Sequence, residues 1–119
     1  MTFTYTQTCQ TPFGSLQDAG KVFTGAAMIV VDESLISEAD NEDVDAVFGQ
    51  AGFKCMAILA DQPALNISDM ADTAFADVLV ANQMKFHTTV ATDVGGIHYS
   101  TLAQTVGTLK IRVLYDPTP

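Results

Sequence analysis

Thr2, Thr4, Thr6 and Thr8 alternate with Phe3, Tyr5, Gln7 and Cys9, a two-residue period that predicts a strand ended by Pro12 and Gly14. The run VFTGAAMIVV, Val22 to Val31, is apolar on both faces and reads as an interior strand. Gly25 and two alanines leave little volume midway along it, so another element is expected to approach closely there. Next, Val44, Val47, Phe48 and Ala51 fall at helical spacing behind caps at Ser37 or Asn41, which predicts a helix closed by Gly49 or Gly52. FKCMAILA, Phe53 to Ala60, is a second strand with two apolar faces. Ser68, with Asp69 and Asp72 in the first turn, caps a second helix whose stripe is Ala71, Ala74, Phe75, Val78, Leu79 and Asn82.

Alternation resumes from Met84 to Ala91, and Gly95-Gly96 reads as a turn. Residues Ile97 to Thr105 fit a short helix or a loop. A last strand, Thr108 to Tyr115, sets Leu109, Ile111, Val113 and Tyr115 against Lys110 and Arg112 before Asp116 and Pro117 stop it. The expected fold is therefore α+β in the order β-β-α-β-α-β-β, with two helices on a mixed sheet of about five strands containing a parallel pair. The 119 residues are expected to form a single domain, with residues 1–14 an N-terminal strand or arm that could be exchanged with a neighbouring subunit.

Composition sharpens this picture. Hydrophobic residues make up 48% of the chain and charged residues 16%, enough apolar material for a core and too little charge for disorder. The formal net charge is −9, from 14 acidic and 5 basic side chains, which argues against direct contact with nucleic acid or an anionic membrane. Seven of the acids lie between Asp32 and Asp45, whereas the first 21 residues carry one acid, Asp18, and one lysine. No secretory leader or membrane-spanning run is expected, and Cys9 and Cys55, remote in sequence, are expected as reduced thiols.

Candidate chemistry is sparse. The acidic run fails as a calcium loop because Asp45 stands where the turn needs Gly and Ala51 where Glu should ligate. Gly95-Gly96 lacks the further glycines and the lysine of a phosphate cradle. His87, Asp93, His98 and Tyr99 form the one cluster suited to acid–base work, and Ser100 beside them lacks a nucleophile-elbow motif. No cofactor or metal is expected.

Three functions fit, in decreasing order. The first is a non-enzymatic structural or assembly protein, such as a phage capsid decoration or tail-type protein, made in the cytoplasm and resident in the virion. It would act through self-association and protein contacts at Phe3, Tyr5, Thr6, Thr8, Leu114 and Tyr115. The second is an acidic inhibitor or regulator that meets a basic protein surface through Glu38, Asp40, Glu42, Asp43 and Asp45. The third is a small enzyme or ligand binder built on the His87/His98 region.

Overall fold

Twelve strands and no helix make up the residues described by the computed structural model, 2–17, 20–102 and 105–117. They are β1 (Thr2–Tyr5), β2 (Thr8–Thr11), β3 (Gly14–Gln17), β4 (Lys21–Thr24), β5 (Ala27–Leu35), β6 (Glu42–Phe48), β7 (Phe53–Ala60), β8 (Ala64–Asp69), β9 (Ala76–Leu79), β10 (Lys85–His87), β11 (Val94–Ser100) and β12 (Gly107–Tyr115). Every pairing among them is antiparallel. The fold is all-β, so the α+β expectation, its two helices and its parallel pair are all incorrect.

Two four-stranded sheets, in the orders β10-β7-β12-β5 and β6-β11-β8-β9, share one core. Met56 and Ile58 of β7 and Leu109, Ile111 and Val113 of β12 enter it from the first sheet, and Val44, Ile67, Ile97 and Tyr99 from the second. Numbered one to eight from β5, the strands lie in the orders 6-3-8-1 and 2-7-4-5. Successive strands change sheet at every step except β8 to β9, which is the connectivity of a jelly roll.

The predicted first helix is β6. Its residues satisfy two periods at once: Val44, Ala46 and Phe48 are buried while Asp43, Asp45 and Val47 are exposed. Two β-branched valines and two aspartates are poor helix formers, and pairing with β11 selects the two-residue period. At Gly52 the backbones of the β6–β7 turn and the chain end lie so close that a Cβ would collide with the carbonyl of Asp116.

The predicted second helix is the end of β8, a turn and β9. Here the capping residue became the turn itself. The Asp69 carboxylate, 1% exposed, accepts the N–H groups of Ala74 (2.9 Å) and Phe75 (3.3 Å), and Asp72 adopts a left-handed φ of 56°. Those bonds reach five and six residues along the chain, too far for a helix start.

The other expectations fare better. β7 occupies the predicted residues 53–60, β12 begins one residue before its predicted start, and the long strand of residues 22–31 divides at Gly25 into β4 and β5. Gly25 is buried, and a Cβ there would stand 2.9 Å from Leu114 Cγ, the close approach that its small neighbours implied. Gly95-Gly96 is an irregularity within β11 rather than a turn: Gly96 has φ 139°, and the inward phase shifts from Val94 to Ile97.

Candidate functional site: an uncharged ribbon and two histidine contacts

The first four strands form a ribbon of their own. β1 pairs with β4 from Thr2–Thr24 to Tyr5–Lys21, and β2 pairs with β3 from Thr8–Gln17 to Thr11–Gly14. Aromatic rings hold its base to the sandwich. Tyr5 stacks on Phe86 of β10 with centroids 4.2 Å apart, and Phe23 approaches the same ring at 5.5 Å. Because Gly25 lies against Leu114 of β12 and Phe23 lies against β10, the ribbon crosses the outer face of the first sheet toward its β10 edge. Cys55 and Leu114, outward-facing partners on β7 and β12, are 0% exposed. Burial pushes the Cys55 thiol up to about 11. The side chain of Cys9 lies outside the described residues.

Among the described residues the distal half of the ribbon has no such ring contact. Among the described strands β2 and β3 pair only with each other. The tip is shaped locally: Thr11 Oγ1 donates to the Gly14 carbonyl at 2.7 Å and accepts the Phe13 N–H at 3.2 Å, while Gly14 takes φ 125°. Phe13 is 100% exposed and Leu16 68%. No side chain from residue 1 to 17 is ionisable to an acid or base near neutrality except the thiol of Cys9, in a chain with 19 charged residues. The radius of gyration, 15.0 Å, exceeds the roughly 13.5 Å of a compact chain of this length, in keeping with a projecting segment.

The predicted contact residues divide accordingly. Thr6 and Thr8 are exposed on the ribbon, and Phe3 and Tyr5 are half-buried at its base. Leu114 is fully buried beneath Gly25, and Tyr115 packs toward the core with its ring 6.4 Å from Phe48. Phe13 and Leu16 are not among the contact residues that the sequence pattern points to. The signal that could have found them is a phenylalanine on the Pro12-Phe13 turn and a leucine three residues on, in a stretch with no charge.

The acidic run is not the start of a helix. Glu38 (φ 55°) and Asp40 lie in the β5–β6 connection, Asp43 and Asp45 project outward from β6, and Glu42 is half-buried. Among the described residues none of these five side chains forms an ion pair.

The two histidines are engaged separately. His87 Nε2 lies 2.6 Å from Asp77 Oδ2, with the Phe75 ring at 5.6 Å. His98 sits opposite Ser68 in the β8–β11 ladder, on the outer face of the second sheet. Its Nε2 is 3.1 Å from Asp72 Oδ1 and 3.3 Å from Ser68 Oγ, whose own proton goes to Asp72 at 2.6 Å. So arranged, the imidazole donates to Asp72, the reverse of a general base accepting a serine proton. Nδ1 is buried and has no hydrogen-bond partner among the described residues. Tyr99 points the other way, into the core, and Asp93 accepts the Gln50 N–H at 2.8 Å. The proposed cluster of His87, Asp93, His98 and Tyr99 is thus dispersed among separate contacts. Ser100 accepts the Asn41 N–H at 3.1 Å.

Among the described residues no group of three or more His, Cys, Asp or Glu side chains could hold a metal ion. No helix among them is long and apolar enough to cross a membrane. Among the described residues, shallow pockets of about 220 Å³ beside Asp61, Asn82 and Lys110 and about 190 Å³ beside Phe53 and Val90 are smaller than the roughly 300–1,000 Å³ of ordinary ligand sites. No family model, curated protein or solved structure matches this chain.

Proposed function

We propose that this protein is a non-enzymatic assembly component, acting through protein–protein contacts in a larger particle of the kind a virion represents. The observation that carries this reading is the β2–β3 tip. It is an uncharged hairpin presenting a fully exposed Phe13 and an exposed Leu16, held in shape by Thr11 and anchored at its base by Tyr5 on Phe86. Shaped apolar surface left uncovered by its own chain is characteristic of an interaction site. Jelly rolls build viral shells, and they also build lectins and cupins. The weight therefore falls on the ribbon rather than the fold.

Phe13→Ser combined with Leu16→Ser tests the reading. Assembly through the tip predicts that the double variant keeps the wild-type unfolding midpoint but loses association with the particle in co-sedimentation from the producing cells. Undiminished association would overturn it. A second reading, recognition of a basic protein, rests on the unpaired Asp43 and Asp45 of β6. It predicts binding to a basic partner that weakens as salt is raised.

A further inference from the structure

Two open sheets have four edges, and three are blunted. β10 has three residues and carries Lys85, β9 has four residues, and β6 turns Asp43 and Asp45 outward along its seven. Short strands and edge charges of this kind prevent strands from other chains from adding on. β5 differs. It runs for nine residues, pairs only with β12 among the described strands, and lacks any Pro or Lys. From Ala26 to Val31 it bears no charge, and the first acid, Asp32, is held by Arg112 Nη2 at 2.8 Å. The ribbon leaves this edge clear, because it crosses the sheet toward β10.

We propose that β5 is a dimerisation edge that pairs antiparallel with β5 of a second copy about a two-fold axis beside Ile29. The inference rests on the assembly reading and names a second surface and its partner. The side chains select this register. On the outer face, Met28 is 37% exposed and Val30 51%. A two-fold at Ile29 sets Met28 opposite the partner's Val30, so that each copy covers the other's exposed apolar pair. The same register sets Asp32 opposite the partner's Ala26 and Glu33 opposite the partner's Gly25, so that no like charges face each other. The interface is isologous and closes as a dimer. Because each copy carries −9, its affinity rises with ionic strength.

Molar mass by light scattering across a concentration series tests this in the Cys9→Ser protein. The expected result is a monomer–dimer equilibrium whose dissociation constant rises about tenfold or more in Val30→Glu. Glu at this position faces Arg112 across the ladder, so the fold should tolerate it, and the unfolding midpoint checks that. In a mixture of Met28→Cys and Val30→Cys proteins, oxidation should yield the mixed disulfide in preference to either homodimer. A Cys9→Ser protein that stays monomeric overturns the proposal. So does a dimer unaffected by Val30→Glu or one that forms no mixed disulfide. Any of these leaves the assembly reading to its own test, since that depends on Phe13 and Leu16, whereas loss of particle association in the tip variant with a normal dimer separates the two surfaces.

Discussion

The Asp77 carboxylate meets His87 Nε2 at 2.6 Å, joining β9, an edge of one sheet, to β10, an edge of the other. Asp77 faces the same way as its ladder partner Ile67, and His87 the same way as Met56, both core residues. The pair therefore closes this side of the sandwich from within. Asp77→Ala leaves the imidazole half-buried without its partner and should lower the free energy of unfolding by about 1–3 kcal/mol in urea titrations. His87→Phe, which replaces the hydrogen-bonded pair with a ring beside Phe75, should cost less than Asp77→Ala. An equal or greater loss would show that the latch is not what holds these edges.

Acid should act through Asp69. Burial raises its carboxyl pKa, but the N–H groups of Ala74, Thr73 and Phe75 outweigh that, and the net position lies below the ordinary value of 3.8. A carboxyl held lower in the folded state than in the unfolded one contributes stability that is complete above about 3.8 and is lost as pH falls from there toward the folded pKa. Asp69→Asn removes a charged acceptor from these backbone donors, and it should lower stability at neutral pH by about 1–3 kcal/mol. It should also flatten the acid limb below about pH 4, measured as unfolding free energy against pH. A limb of unchanged steepness would assign acid sensitivity to other carboxylates.

Two glycines should behave in opposite ways. A Cβ at Gly52 runs into the Asp116 carbonyl, whose residue also donates its N–H to Gly52 at 2.7 Å, so backbone must move to admit it. Gly52→Ala should cost about 2 kcal/mol or more, in the range of overpacked cores. Gly95 has open space around its Cβ position and no left-handed φ, so Gly95→Ala should be neutral or stabilising by up to about 1 kcal/mol. In thermal melts the Gly52→Ala curve should lie well below the wild-type curve and the Gly95→Ala curve at or above it.

The strands of β7 and β12 were legible because neither segment fits a helical stripe and both end at clear stops. β6 was not, since Val44, Val47, Phe48 and Ala51 satisfy helical spacing as well as Val44, Ala46 and Phe48 satisfy a strand. What decides between them is β11, a partner about fifty residues away. Ser68 and Asp69 misled for a chemical reason. The carboxylate that can cap a helix can equally satisfy a turn, and only the position of Ala74 and Phe75 distinguishes the two. The candidate contact surface was half legible. The alternation of Thr2 to Cys9 located the ribbon, but residues 22–24 read as interior strand and concealed its second arm, β4, and with it the projection of Phe13.

Loss of the Phe86 ring should free the ribbon without unfolding the sandwich. That ring is the contact of both Tyr5 and Phe23, and on the same outer face Gly25 lies against Leu114, whose ladder partner Cys55 is 0% exposed. In the wild type the thiol is doubly protected: it is 0% exposed, and its pKa near 11 leaves little thiolate at pH 8. In a Cys9→Ser background, Phe86→Ala should speed the labelling of Cys55 by a maleimide at pH 8 by about tenfold or more, with the β-sheet circular dichroism retained. The enhancement should exceed any rise in global unfolding rate measured by urea jump. Labelling no faster than unfolding allows would mean that Cys55 is shielded by the sandwich alone and that the ribbon base is held by something other than the Tyr5–Phe86 stack.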